Sequence, residues 1–286
     1  MAMILKSHAK INLTLHIGRK AKGGLHQIES VMHPIDLYDN LMFEKMEGDE
    51  VVVHSNNTSI LNKDNLAYKA AMMLKKKHGI RSGVRITIEK NIPLGAGLGG
   101  GSSNAAMALI ALNSLWKLRL DQKKLMHAAF ELGSDVPFFI PGKPALVEGV
   151  GEKVKPITSY PKINAVIINP GFQVSTKWAY DAFDKHRKRM PKKKAMSARA
   201  YAKLVQKKDI NGMADNLHND FTEVVAKRYK IVREMTGLLN KYGALNSCLS
   251  GSGPTVYGLF SSIYTAREAY FKLKDIYPFV YLTKTV

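Results

Sequence analysis

A glycine-rich stretch is the part of this 286-residue sequence whose residue types and spacing best suit chemistry. It reads PLGAGLGGGSSN over residues 93–104, between a predicted strand and a predicted helix. Glycines allow positive φ angles and bring backbone N–H groups close to a ligand. Free amides at a helix start, reinforced by the helix dipole, bind anions, and serine hydroxyls there can hold a phosphate oxygen or its Mg²⁺. The residues assigned to phosphate binding are Pro93, Gly95, Ala96, Gly97, Leu98, Gly99, Gly100, Gly101, Ser102, Ser103 and Asn104.

The spacing of the glycines in this loop distinguishes between the known kinds of phosphate-binding loop. The loop lacks the G-x-x-x-x-G-K-[ST] signature of a Walker A loop. Gly95, Gly97 and Gly100 match the dinucleotide pattern G-x-G-x-x-G, and Asp121 follows about 20 residues on. However, residues 90–93 separate the strand from the first glycine, and Asp121 is better explained as the cap of its own helix. A dinucleotide site is therefore the second choice.

Charge is the outlier of the composition. The chain has 43 Lys plus Arg against 23 Asp plus Glu, which gives a formal charge of +20. This excludes an acidic solvating protein and suggests a polyanionic partner. Eleven Lys or Arg and no acid fall in residues 185–208. We interpret this segment first as a solvated connection between helices, and second as a basic flap facing anionic substrates or RNA.

Targeting and redox signals are few. The single cysteine, Cys248, excludes an intramolecular disulfide and a multi-cysteine metal site, and is expected to be a packed residue. The N-terminal residues show no obvious signal peptide. The longest apolar runs, such as 105–112, fall far short of the roughly 18 residues that span a membrane. A cytoplasmic protein is expected.

Periodicity predicts an α+β chain in two halves that join near residue 158. Asp39-Asn40 predicts a turn, and Asp64-Asn65 predicts the start of a helix that ends at Gly79. Asp121 is expected to cap a later helix, over 121–133. Strands are expected over 4–17, 31–43, 50–54, 84–88, 165–168, 255–260 and 279–283. Helices are expected over 65–78, about 102–118, 121–133, much of 176–242, and 265–273.

Five stretches, in order along the chain, together resemble the GHMP small-molecule kinases. They are AKINLTL (9–15), the glycine loop with Ala105 (93–105), GSDVPFF (133–139), EGVGE (148–152) and SGSGPT (250–255). The resemblance covers essentially the whole chain. It implies a two-domain α+β fold with the active site in the cleft between the domains. Residues 1–158 would be the half like ribosomal protein S5 domain 2, and residues 159–286 the ferredoxin-like half.

The resemblance implies an ATP- and Mg²⁺-dependent kinase in isoprenoid precursor synthesis, acting on a small-molecule alcohol that carries a cytidine diphosphate. It makes Asp135 the catalytic base and Lys10 its partner. By itself Asp135 is better explained as a turn or cap residue, and Lys10 as the solvent face of a strand. Asn12 lies two residues after Lys10, so both share one strand face.

For the nucleotide, the resemblance places Asn65 and Lys90 beside adenine. A helix cap and a strand-end lysine are the ordinary alternatives for these two residues. Asn104 would close the phosphate loop, and Ser103 is a candidate Mg²⁺ contact. No metal-binding carboxylate is identified.

For the cytidine substrate, the resemblance assigns base reading to His26 and stacking to Tyr180. The chain departs from the family at Leu25, where an aromatic is usual, and at His8, where proline is usual. The full set of predicted substrate residues is Asn12, His26, Thr176, Tyr180, Gly251, Ser252 and Gly253.

Two further functions are weighed. One is a kinase of the same fold that acts on a different alcohol. The other is a basic RNA-binding protein, which leaves the glycine loop unexplained. The favoured interpretation expects a small-molecule partner, with no nucleic acid and no membrane, in a monomer or homodimer.

Overall fold

The structure, a computed structural model, describes residues 2–21, 23–57, 64–187 and 195–286. Its strands are β1 (Ala2–Lys20), β2 (His26–Met46), β3 (Val51–Ser55), β4 (Gly83–Glu89), β5 (Ala145–Gly149), β6 (Lys153–Pro156), β7 (Asn164–Asn169), β8 (His218–Asn219), β9 (Asn246–Leu249), β10 (Val256–Phe260) and β11 (Phe279–Lys284). Its helices are α1 (Leu66–His78), α2 (Gly100–Leu115), α3 (Gln122–Leu132), α4 (Val136–Phe139), α5 (Thr176–His186), α6 (Ala198–Lys207), α7 (Ile210–Asp215), α8 (Thr222–Arg228), α9 (Ile231–Lys241) and α10 (Ile263–Leu273).

The chain divides into two compact units that alternate along the sequence. Unit 1 comprises Met1–Ala9, Leu37–Ile92 and Gly99–Gly142. Unit 2 comprises Lys10–Asp36, Pro93–Leu98 and Lys143–Val286. Strands β1 and β2 and the glycine loop each contribute residues to both units. The domain boundary expected near residue 158 stays a prediction.

Unit 1 builds a sheet covered by helices. Strand β4 pairs antiparallel with β2, from Asn40 opposite Glu89 to Met46 opposite Gly83, and parallel with β3. The alternation seen at residues 84–88 is a burial pattern, since the apolar side chains of β4 lie in the core. Helix α1 packs on α2, and α1 ends at Gly79, which adopts the left-handed conformation predicted for it, with φ 62°.

Unit 2 contains a four-stranded antiparallel sheet in the order β11-β7-β10-β9. Helices α9 and α10 pack against strands of this sheet, and Cys248 in β9 is buried, as expected. The same unit holds β5, which pairs with β2 and β6, and the two-residue strand β8, which pairs parallel with β1 at Thr14–His218. This short strand is central to the site described below.

Two local predictions are wrong. No turn forms at Asp39-Asn40, because β2 runs through both residues, and the buried Asp39 carboxylate accepts the backbone N–H groups of Asn91 and Ile92 instead. Residues 198–207 form α6, in line with the helical pattern predicted over much of 176–242, but the interpretation of them as a solvated connection is wrong, because Tyr201 and Val205 are fully buried. Of the rest of the basic segment, residues 188–194 lie outside the described residues.

Within the described residues, no helix combines the length and the apolar character needed to cross a membrane.

Candidate active site

The first half of the glycine loop is held tightly in unit 2. Gly97 has φ 78°, and a Cβ atom added to it would lie 2.2 Å from the carbonyl oxygen of Ser250. The Ser250 hydroxyl also donates a hydrogen bond to the Gly97 carbonyl oxygen, at 3.1 Å. Position 97 therefore requires glycine for two independent reasons, its backbone conformation and the close approach of another backbone segment.

Lys10 and Asn12 meet the C-terminal glycine motif in the same unit. The Lys10 ammonium donates to Asn12 Oδ1 at 2.5 Å, and the Gly251 backbone N–H donates to the same oxygen at 2.9 Å. The Lys10 backbone N–H donates to the carbonyl oxygen of Leu98, at 2.9 Å. Three separately predicted motifs therefore converge here, and the shared strand face of Lys10 and Asn12 is confirmed.

Two residues that the sequence analysis did not single out hold this cluster together. Asn219, in β8, donates through Nδ2 to the carbonyl oxygens of Leu249, at 2.9 Å, and Gly251, at 2.8 Å. The Tyr257 hydroxyl donates to the backbone oxygen of Asn12, at 2.7 Å. A two-residue strand leaves no periodic signal, so nothing in the sequence pointed to Asn219.

Thr176 and Ser252, both predicted substrate residues, also lie together in unit 2. Their hydroxyl oxygens are 3.0 Å apart. Thr176 opens α5, because the preceding Ser175 caps that helix by accepting the Trp178 N–H. The start of α5 and the C-terminal glycine motif thus offer two adjacent hydroxyl groups.

His26 and Tyr180 form a stacked ring pair. Their centroids are 4.6 Å apart, with 13° between the ring planes. His26 Nε2 lies 2.9 Å from Asp184 Oδ1, and Lys20 Nζ lies 2.9 Å from the other oxygen of that carboxylate. Burial raises the pKa of Asp184, but the hydrogen bonds from Lys20 and His26 outweigh it, and the net pKa is lowered. Asp184 is one helical turn after Tyr180, a spacing from which it could have been identified.

Next to this ring pair in the sequence, Leu25 stands where the family usually has an aromatic. Its side chain is 53% exposed.

In unit 1, the buried Asp39 carboxylate organises the strand end that precedes the loop. It accepts from Lys90 Nζ at 2.7 Å and from Asn104 Nδ2 at 2.9 Å. Burial lowers the pKa of Lys90, partly offset by the charge of Asp39. A Cβ on Gly100 would lie 2.9 Å from Lys90 Nζ. The Lys90 ammonium therefore lies directly against the backbone of Gly100, at the start of α2.

The remaining loop residues of unit 1 frame the start of helix α2. Asn104 Nδ2 donates to Ser7 Oγ at 2.9 Å, and Ser7 Oγ donates to Ser103 Oγ at 2.7 Å, all in the interior. Gly99, the N-cap residue, has φ 71° and no capping side chain, and the first turn contains no acidic residue. These are the conditions under which backbone amides at a helix start bind an anion.

Asn65 and Asp135, the other predicted site residues of unit 1, differ in how they are used. Asn65 Oδ1 accepts the Ala67 N–H at 2.9 Å, so Asn65 is a helix cap, which was the ordinary alternative for it. Asp135 precedes α4, but its carboxylate makes no capping hydrogen bond. The pairing of Lys10 with Asp135 and the nucleotide contacts of Asn65 and Lys90 stay predictions.

Family models match both parts of the sequence. The model described as GHMP kinases N terminal domain matches residues 65–143, and the model described as GHMP kinases C terminal matches residues 201–278.

Curated relatives match nearly the full chain. A 4-diphosphocytidyl-2-C-methyl-D-erythritol kinase of Caldicellulosiruptor saccharolyticus is 39% identical over 285 residues, which cover 99% of this chain and 97% of the relative. The enzyme of the same name from Clostridioides difficile is 41% identical over 280 residues, covering 96% and 93%.

Solved structures agree. The crystal structure of a 4-(cytidine 5'-diphospho)-2C-methyl-D-erythritol kinase superposes with a TM-score of 0.82 at 31% identity, covering 99% of both chains. A crystal structure of L. major mevalonate kinase in complex with R-mevalonate, at 17% identity and a TM-score of 0.78, shares the fold, and the match covers 99% of this chain and 95% of that one.

Proposed function

Since this chain belongs to the GHMP kinase family, among the 4-diphosphocytidyl-2-C-methyl-D-erythritol kinases, we propose that it transfers the γ-phosphoryl group of ATP to the 2-hydroxyl of 4-diphosphocytidyl-2-C-methyl-D-erythritol. One observation carries the proposal beyond the family. The N-terminal strand, the glycine loop and the C-terminal glycine motif meet through Lys10, Gly97 and Gly251, as the resemblance requires.

The backbone amides at residues 95–102 bind the phosphates of ATP. Two features support this: the positive φ angles of Gly95, Gly97 and Gly99, and the uncapped start of α2. Phosphoryl transfer depends mainly on positioning and charge neutralisation, and a cradle of fixed amides supplies both.

Mg²⁺, when bound with ATP, neutralises charge on the transferring phosphoryl group. The Ser103 hydroxyl fits such an ion, since it accepts one hydrogen bond from Ser7 and keeps a second lone pair. Ser103 is therefore the residue of this chain that we assign to the magnesium ion.

Asp135 accepts the proton of the attacking hydroxyl as general base. Its position supports the role, because Asp135 directly precedes α4 and Pro137 in the first turn of that helix restricts the local backbone. The Lys10 ammonium, held at Asn12, offsets the negative charge that develops on the phosphoryl oxygens.

His26 and Tyr180 receive the cytosine ring. Because Asp184 accepts the Nε2–H of His26, the tautomer with its lone pair on Nδ1 accepts the exocyclic amine of cytosine at that atom. The two rings are nearly parallel, so a base hydrogen-bonded in the plane of the His26 ring also lies parallel to the Tyr180 ring and can stack on it. Stacking of this kind contributes about 1–3 kcal/mol per base.

The direct test is substrate-dependent ADP release by the purified protein. ADP formation with the cytidine substrate, and not with mevalonate or homoserine, is expected. A preference for one of the other alcohols would keep the family and overturn the substrate.

Asp135→Asn tests the mechanism. We expect kcat to fall by about 10²–10⁴-fold with ATP affinity retained, as for loss of a general base. Asp275→Asn, at a carboxylate 80% exposed, is the matched control and should be fully active. If kcat of Asp135→Asn stays within a few-fold of the wild type, Asp135 is not the base.

A further inference from the structure

Two histidines and an aspartate, none of which is assigned to the kinase reaction, lie together in unit 2. His16 is in β1, His218 is in β8, and Asp220 follows β8 directly. Each offers one ligand atom, and these atoms all lie within 4.8 Å of one another. The parallel pairing of Thr14 with His218 brings the two strands side by side.

The Nε2 atom of His16 is buried and has no hydrogen-bond partner among the described residues. The ring hydrogen-bonds with the backbone of Met196, and since Nε2 is unpartnered, Nδ1 makes that bond. An imidazole whose Nδ1–H is fixed on a backbone carbonyl presents its Nε2 lone pair, as metal-binding histidines do.

The other two groups suit the same ligand. His218 Nε2 and Asp220 Oδ1 are 2.7 Å apart, and Asp220 is oriented by the Ile17 N–H, which donates to its Oδ2 at 2.7 Å. The imidazoles of His16 and His218 are stacked with centroids 4.7 Å apart. Two imidazoles bound to one tetrahedral ion at about 2.0–2.1 Å hold their centroids roughly 5 Å apart.

We propose that His16, His218 and Asp220 bind a divalent transition-metal ion of the zinc class. Two imidazole nitrogens and one carboxylate oxygen favour zinc, cobalt or nickel over magnesium, which prefers oxygen ligands. Binding requires the proton on His218 Nε2 to move to Nδ1 of the same ring through solvent, and two bonds to the metal, from Nε2 and from Asp220 Oδ1, replace the His218–Asp220 hydrogen bond.

An entry path and a structural consequence support the site. His16 lines a cavity of about 480 Å³ in unit 2, whose charged lining residues are Glu29, Glu148, Lys153, Lys155 and Arg199. Asn219 lies between the two β8-side ligands and holds the Gly251 carbonyl. An ion that joins β1 to β8 therefore fixes the strand that orients the C-terminal glycine motif.

The test is a metal titration of the full-length protein, dialysed against a chelator and free of ATP. Wild type is expected to bind one Co²⁺ per chain with a visible ligand-field spectrum. Zn²⁺ should abolish this spectrum by displacement, and millimolar Mg²⁺ should leave it unchanged. Zn²⁺ should also raise the unfolding temperature of the wild type, since it binds the folded state.

His16→Asn should weaken binding by more than about 100-fold, because loss of a ligand exceeds loss of an outer-shell partner. His127→Asn, at a side chain 81% exposed on α3, is the matched control and should bind as the wild type does. Should His16→Asn not fold, His218→Gln serves instead. The proposal is overturned if the wild type shows no saturable Co²⁺ binding, or if the ligand variants bind as tightly as the control.

Discussion

Replacing Gly97 by alanine tests the idea that the glycine loop depends on its contact with the C-terminal glycine motif. The new Cβ would lie 2.2 Å from Ser250 O and 3.1 Å from Gly253 N, and the φ angle of 78° would have to be kept. A non-glycine residue in the left-handed region costs about 1–2 kcal/mol. Overpacking costs a further 1–3 kcal/mol, roughly. Both obstacles are backbone atoms, so no side-chain rotation relieves the overlap.

The backbone strain and the overpacking together cost about 2–5 kcal/mol, and this cost should be seen in one of two measurements. If the loop yields locally, kcat/KM for ATP falls at least about 30-fold, since 1.4 kcal/mol is tenfold. If the loop holds, the free energy of unfolding in urea falls by the same 2–5 kcal/mol, roughly.

Gly237→Ala is the matched control. An added Cβ at this α9 position meets nothing within 4 Å, so activity should be unchanged and stability slightly higher. An unchanged kcat/KM together with an unfolding free energy within about 0.5 kcal/mol of wild type would refute the reasoning for Gly97.

Two more predictions concern titratable groups of unit 2. Asp184→Ala removes the acceptor that fixes His26, so the preference for the cytidine substrate over its uridine counterpart, measured as the ratio of the two kcat/KM values, should fall about tenfold or more. Asp181→Ala, at an exposed residue, is the control and should leave this ratio unchanged. If the two variants show the same ratio, the argument from the His26 tautomer is wrong. Burial lowers the pKa of His33 from 6.5 to about 4. The unfolded chain therefore takes up a proton that the folded chain does not, and stability present above pH 6.5 is lost as the pH falls toward 4. This should reduce the free energy of unfolding by about 3 kcal/mol in urea titrations, and a His33→Gln variant with the same pH slope would contradict it.

Sequence patterns predicted the fold well wherever the signal was local. The cap at Asp121, the stop at Gly79 and the alternation of β4 depend on neighbours within a few residues, and all were confirmed. Asp39 was misjudged because its hydrogen-bond partners, Asn91 and Ile92, lie about 50 residues away along the chain. Local propensity favours a turn there, and tertiary hydrogen bonds override it.

For the candidate site, the family motifs were enough to locate the glycine segments in the sequence. The side chains that hold these segments by hydrogen bonds were identified only from the structure. Asn219 and Tyr257 act through single long-range hydrogen bonds, which leave no periodic trace in one sequence. Asp184 is the exception, since its spacing from Tyr180 was available. Side chains that position other groups are therefore the part that sequence reasoning missed.

Asn12 carries a consequence for how the enzyme is made. Its side-chain oxygen accepts a hydrogen bond from the backbone N–H of Gly251, 239 positions later in the chain. Its backbone oxygen accepts one from the hydroxyl of Tyr257, 245 positions later. Domains fold as they leave the ribosome, N-terminal parts first. The N-terminal strand emerges early, but its polar groups find these partners only when the chain has been synthesised beyond Tyr257. A nascent chain shorter than this therefore holds Asn12, and the Lys10 ammonium bound to it, without the support that the two later residues give.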